Sequence, residues 1–119
     1  MFEALAGALA AREWDTAAEL YAEDVQVTNR FDPDGPVTKT GRAAVRDFFV
    51  GLGSKLDSLT IERPTLYPGS DPEYLTAEFD FAAIAGGGAA KFTLPAVFIL
   101  RVRDGLIIES RDYIGPRQS

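Results

Sequence analysis

The first part of the chain places its hydrophobic residues at helical spacing. Phe2, Leu5 and Leu9 recur every three or four positions and so give the one-sided apolar stripe of an amphipathic helix. A wider apolar face that includes Val45 and Phe49 begins near residue 42. Together with a short helical segment between them, these patterns predict three helices, over residues 1–11, 16–22 and 42–52.

Local signals predict where two of these helices begin or end. Asp15 is a suitable N-cap for the second helix, because its carboxylate can accept hydrogen bonds from backbone N–H groups of the first turn. Trp14, directly before it, is expected to pack as a hydrophobic staple. Gly51 and Gly53 are expected to end the third helix.

From Asp24 onward the pattern changes to an alternation with a period of two, which is typical of half-buried strands. Turn residues separate the alternating segments, and the Asp104-Gly105 pair among them favours a two-residue hairpin. A short strand is predicted over residues 25–29, and four longer strands over residues 56–67, 73–83, 90–103 and 106–114. Helices followed by strands with short turns predict an α+β domain, in which a curved antiparallel sheet packs against the N-terminal helices.

The facing of two strands decides where their acidic residues lie. In the second of the long strands, Phe79 and Phe81 share one face while Glu78 and Asp80 share the other. The alternation alone places the phenylalanines in the core and the acids in solvent. In the reverse arrangement the acids face a pocket, and the phenylalanines form an outer apolar patch that predicts a dimer. In the last strand, an inward face of apolar and small residues carries Asp112 toward the core.

The composition narrows the chemistry. A chain of 119 residues suits one domain, and its net charge of −6 disfavours nucleic acid and anionic membranes as partners. The chain contains no cysteine and no histidine, which excludes disulfides, thiol nucleophiles, Ser-His-Asp triads and His- or Cys-based metal sites. No apolar run reaches the roughly 20 residues that span a bilayer. A secretory leader is not expected either, so the predicted location is the cytoplasm.

Three segments resemble the SnoaL-like branch of the nuclear-transport-factor-like superfamily. They are LYAEDVQV (residues 20–27), TGRAAVRDFF (residues 40–49) and RDGLIIESRDY (residues 103–113). They occur in that family's order and, with the strands between them, cover nearly the whole chain. The resemblance implies a single domain over residues 1–119 with the superfamily's cystatin-like cone, in which a curved antiparallel sheet wraps around helices and encloses a cavity.

The limonene-epoxide-hydrolase subgroup of that superfamily resembles the chain further and implies its site residues. The subgroup's Arg-Asp-Tyr matches Asp112, its Arg-x-Asp matches Glu78 and Asp80, and its Tyr-x-Asn matches Val27 and Asn29. The implied catalytic residues are Asp80 as the acid, Asp112 as the base and Asn29 as a holder of the attacking water. Glu78 stands where the subgroup has arginine, so it turns away, or a different cation such as Arg30 compensates, or Glu78 takes a catalytic role itself. Two carboxylates can divide acid and base work, because like charges in one apolar pocket raise one pKa.

The resemblance leaves three functions open. The first is an enzyme without metal or organic cofactor that acts on a small apolar substrate, by epoxide hydrolysis, epoxide-opening cyclisation or isomerisation. The ketosteroid-isomerase subgroup fits less well, because its catalytic aspartate falls at Asn29. The second function is non-catalytic binding of a small ligand, and the third is a homodimer that uses its outer sheet face.

Convergence of Asp80 and Asp112 in one apolar cavity favours catalysis over simple binding. In the opposing interpretation, Asp112 pairs with Arg111 or Arg101 at the surface. Tyr21 is expected to pack in the core with a polar tip, although its hydroxyl is one of those able to reach a pocket.

Overall fold

The computed structural model describes residues 1–118 and contains three helices and six strands. The helices are α1 (Phe2–Ala10), α2 (Trp14–Ala18) and α3 (Arg42–Lys55). The strands are β1 (Tyr21–Asn29), β2 (Val37–Thr40), β3 (Ser58–Pro68), β4 (Tyr74–Ala85), β5 (Ala90–Arg103) and β6 (Leu106–Ile114). In the part of the chain described, no helix is long and apolar enough to cross a membrane.

All six strands form one sheet, in the order β2-β1-β6-β5-β4-β3. Strands β3 to β6 form the expected antiparallel meander, and β2 pairs with β1 in the same manner. Strands β1 and β6 are parallel, which the sequence pattern did not predict. The predicted α+β class with a curved sheet against N-terminal helices is confirmed.

The core lies between the inner face of the sheet and the helices. Phe79 and Phe81 of β4 pack with Phe98 of β5, with ring centroids 4.9–5.8 Å apart. Phe2 of α1 joins them, 5.1 Å from Phe79, and Leu5 is buried on the same side of that helix. The alternation of β4 therefore places its phenylalanines inward, as the period of two alone predicts.

The second helix is shorter than predicted. It ends at Ala18, and the residues expected to finish it instead begin β1 with Tyr21. The helix begins at Trp14 with Glu13 at the N-cap position, so Asp15 lies inside the first turn, where its carboxylate pairs with Arg46 of α3. The prediction of Asp15 as the N-cap is therefore wrong.

The third helix runs past both glycines that were expected to end it. Gly53 packs flat against Trp14, where a Cβ would lie 2.7 Å from the indole ring, so the glycine serves close contact rather than termination. The helix end is held by Arg12, whose guanidinium donates to the carbonyls of Gly53, Leu56 and Asp57 at 2.7–3.0 Å. These carbonyls lack partners within the helix, so the arginine satisfies them.

A bulge in the last hairpin changes the facing of β6. The register shifts opposite Arg101 and Val102, and Ile107 becomes fully buried although the alternation placed it outward. Beyond the bulge, Ser110 and Asp112 face inward as predicted. One extra residue in a ladder reverses the facing of the residues on its far side, which explains the difference.

Candidate functional site

A cavity of about 230 Å³ lies between the helices and the inner face of the sheet. That volume equals roughly eight waters at ~30 Å³ each, which suits a molecule of one or two rings. The apolar part of its lining consists of Leu5, Leu9, Val27, Val45, Phe48, Phe49, Leu52, Leu56, Leu59, Phe81, Ala83, Phe92, Leu94, Phe98 and Ile114. The other lining residues carry a polar group: Tyr21, Asn29, Lys39, Lys55 and Asp112.

The parallel pairing of β1 with β6 brings two predicted site residues together. Asn29 and Asp112 are partners in this register, and both line the cavity. Strand β2 adds Lys39, which lies opposite Val27 on the other side of β1. The cavity wall thus carries an amide, a carboxylate and an ammonium group on three neighbouring strands.

Burial changes the acid strength of Asp112. Its desolvation raises its pKa to about 7, and a hydrogen bond from the Ser110 hydroxyl and the charge of Lys39 oppose that rise. The pKa of Tyr21, also buried, lies well above its usual range because of desolvation and the nearby charge of Asp112. Near neutral pH, Asp112 can therefore accept a proton and return it, while Tyr21 remains a neutral donor.

The structure does not bring Asp80 or Glu78 into this cavity. Both lie on the outer face of β4, where Arg63 of β3 donates to Asp80 at 2.6 Å. The prediction that these acids face the pocket is wrong, because β4 buries its phenylalanines instead. Burial of apolar rings is favourable, whereas unpaired buried carboxylates are costly.

The expected compensating cation and the expected dimer surface also need correction. Arg30 lies over the ring of Tyr113 at 6.0 Å, and Asp80 pairs with Arg63 instead. Phe79 and Phe81 form no outer patch, so the argument they supplied for a homodimer fails, and dimerisation stays a prediction. Asp112 pairs with neither of the arginines proposed for it, since it faces the cavity and Arg101 binds Glu73 at 2.9 Å.

Four polar residues of the site were not predicted from the sequence: three of them line the cavity, and the fourth, Ser110, donates to Asp112. The period of two could have indicated Ser110, because it lies two positions before Asp112 and shares its face. Tyr21 was assigned to packing, and its strand was mistaken for a helix. Lys39 lies on a strand too short to recognise, and Lys55 lies beyond the predicted end of α3.

The polar lining does not suit a metal ion. Within residues 1–118, no group of three or more carboxylates is arranged to hold one. The cavity contributes a single carboxylate and two ammonium groups, which repel a cation.

The sequence matches the SnoaL-like domain over residues 2–110. The chain belongs to the SnoaL-like family. The resemblance seen in the three sequence segments is confirmed by this match. A search of curated proteins finds no relative of this SnoaL-like chain.

Several solved structures share the fold of this SnoaL-like chain at low sequence identity. One is a protein from Catenulispora acidiphila with a ketosteroid-isomerase-like fold, solved with trimethylamine, at 20% identity and a TM-score of 0.81, covering 96% of this chain and 84% of that chain. Another is an LEH-like epoxide hydrolase from M. tuberculosis, at 21% identity and a TM-score of 0.73, with 95% of this chain and 78% of that chain covered. A third is SalBIII, an epoxide hydrolase/cyclase-like enzyme of salinomycin pyran-ring formation. It has 20% sequence identity and a TM-score of 0.80, and the match covers 96% of this chain and 87% of that chain.

Proposed function

We propose that this SnoaL-like protein is a cofactor-independent enzyme in which Asp112 transfers a proton on a small apolar substrate. The observation that carries the proposal is the position of Asp112. It is the one carboxylate on the lining of an apolar cavity within residues 1–118, and its pKa is raised to about 7. A general acid or base works best when its pKa lies near the working pH.

Proton transfer next to a carbonyl group fits this single carboxylate best. The Asp112 carboxylate takes a proton from the carbon beside the carbonyl, the electron pair of the C–H bond forms a C=C bond, and the π pair of the carbonyl moves to its oxygen. The Asn29 amide and the Tyr21 hydroxyl, which share the lining, are suitable donors to that oxygen. Asp112 then returns the proton to another carbon, which isomerises the substrate. Alternatively, the enolate carbon attacks a second carbonyl and closes a ring, and Asp112 gives its proton to the alkoxide that forms.

Epoxide opening is the second candidate, supported by the pairing of Asn29 with Asp112. An amide can hold a water by donating and accepting, and the neighbouring carboxylate can then take the proton of that water. A mechanism with two carboxylates has no general acid here, because Asp80 lies outside the cavity. The leaving oxygen needs another donor, and the Lys39 ammonium, which acts on Asp112 through its charge, is a charged donor on the lining.

The test compares cyclohex-3-enone and 1-methylcyclohexene oxide as substrates of the wild type, Asp112→Asn and Asp80→Asn. Loss of a general acid or base lowers a rate by about 10²–10⁴-fold, so Asp112→Asn should lose activity on that scale while Asp80→Asn keeps it. Equal turnover by the wild type and Asp112→Asn would overturn the role of Asp112. Turnover of the epoxide alone supports the second candidate, and tight binding without turnover of either supports a non-catalytic module.

A further inference from the structure

The charges of the cavity differ in sign from those of the whole protein. The chain carries a net charge of −6 and has three lysines, of which Lys39 and Lys55 line the cavity. The third, Lys91, is exposed on β5 and does not line it. With Asp112 ionised the lining has a net charge of +1, and with Asp112 protonated it has +2. An acidic protein thus presents a cationic surface to whatever enters.

Lys39 is well placed to meet a ligand. Its ammonium lies 4.6 Å from the ring centroid of Phe48, and both side chains line the cavity. Among residues 1–118, Lys39 forms no ion pair with a carboxylate, although it acts on Asp112 through its charge. A half-buried lysine without a close counter-ion is an attractive site for an anionic group.

We infer that the cavity takes an anion, namely a small apolar molecule with one carboxylate that binds Lys39 while its apolar part lies toward Asp112. The inference deepens the proposed function, because it rests on the same cavity and names the substrate class. A monoanion brings the charge of the lining to zero when Asp112 is ionised, whereas a neutral molecule leaves one positive charge uncompensated. Binding at Lys39 also orients the ligand, because the carboxylate end is held on β2 and the other end extends past Asn29.

A purely structural role for Lys39 makes a different prediction. Its ammonium over Phe48 is a favourable cation–π contact that needs no ligand. If that contact is its whole role, removal of the charge changes stability slightly and leaves the choice between charged and neutral ligands unchanged.

The experiment uses a matched pair of probes, 1-naphthoate and the neutral 1-naphthamide, titrated into the whole chain by calorimetry. The two probes have nearly the same shape and differ in charge. The variants are Lys39→Met, which keeps an unbranched side chain, Lys39→Arg, which restores the charge, and Lys91→Met, which removes a lysine away from the cavity.

The wild type should bind the carboxylate about tenfold or more tightly than the amide, since a charge-assisted contact is worth that much. The preference should vanish in Lys39→Met, return in Lys39→Arg and persist in Lys91→Met. Equal binding of both probes by the wild type, an unchanged preference in Lys39→Met, or binding of neither probe at millimolar concentration would overturn the inference.

A fourth variant separates this inference from the proposed function. Asp112→Asn removes the negative charge of the lining, so its preference for 1-naphthoate should increase although catalysis is lost. If the protein turns over neither test substrate but strongly prefers 1-naphthoate to 1-naphthamide, the proposed catalytic function fails and the proposed ligand class is supported. If the protein turns over the neutral substrates but binds the two probes equally, the proposed catalytic function is supported and the proposed ligand class fails.

Discussion

Asp112 and Asp80 lie on the same sheet, yet the sheet's two faces give them opposite surroundings. Asp112 faces the apolar cavity, where burial raises its pKa to about 7 and a serine hydroxyl is its hydrogen-bond donor. Asp80 faces outward with about a quarter of its side chain exposed, and Arg63 neutralises it at 2.6 Å. The first carboxylate can exchange protons near neutral pH, whereas the second is paired with a guanidinium outside the cavity.

The difference shows that the facing of a strand decides the chemistry of its acids. Both residues match a catalytic position of the epoxide-hydrolase subgroup in the linear sequence, but only one lies on the inner face. The inner face of β4 presents Phe81 and Ala83 to the cavity instead of acids. The site is therefore asymmetric, with its carboxylate and amide on β6 and β1 and an apolar wall on β4 and β5.

Substitutions on β4 test the contrast between the two faces most strongly. Phe79→Ala should lower the free energy of unfolding by about 3–5 kcal/mol, because Phe79 is 3% exposed and contacts three other phenylalanines. The neighbouring Asp80→Ala should lower it by less than ~1 kcal/mol, because its ion pair is at the surface. Chemical denaturation measures both values. Similar losses for the two variants would contradict the assigned facing.

This strand also marks the limit of what the sequence could predict. The fold class and the turns followed from periodicity and turn residues, because these signals are local. Alternation alone gave the correct facing of Phe79 and Phe81, whereas the family resemblance suggested the reverse. Lys39 was beyond prediction because its contact with the cavity depends on the pairing of β2 with β1, which no local pattern encodes.

The next largest effect is the dependence of stability on pH that Asp112 causes. In the unfolded chain this carboxyl loses its proton near pH 3.8, whereas in the folded protein it keeps the proton up to about pH 7. Between these values the unfolded state binds fewer protons, so the free energy of unfolding falls as pH rises, by roughly 1.4 kcal/mol per unit. The loss, on the order of 4 kcal/mol, is complete above about pH 7.

Asp112→Asn removes this contribution and should therefore be more stable than the wild type at pH 8, with the difference largely gone at pH 4. The groups that act on Asp112 are the Lys39 ammonium and the hydroxyls of Ser110 and Tyr21, and none of them is a second carboxyl group. Denaturation curves at both pH values give the comparison, with Asp80→Asn as the control from the outer face. A wild type as stable as Asp112→Asn at pH 8 contradicts a raised pKa.

The smallest effect concerns Ser110, which is fully buried and donates its hydroxyl to Asp112. That bond favours the ionised form and holds the pKa of Asp112 below the value that burial alone would give. In Ser110→Ala the pKa should rise further, by about one to two units, since a hydrogen bond to a charged group is worth roughly 1.5–3 kcal/mol. Titration of the Asp112 carboxyl by carbon-13 NMR measures the shift, and the midpoint of the pH–rate profile should move with it.

Two further variants separate this hydrogen bond from a merely structural role for Ser110. Ser110→Thr keeps the hydroxyl and should restore the original midpoint, whereas a structural role alone leaves the midpoint unchanged in Ser110→Ala. A control comes from the outer face, where Arg63 pairs with Asp80 and not with Asp112. Arg63→Gln should therefore leave the titration midpoint of Asp112 unchanged.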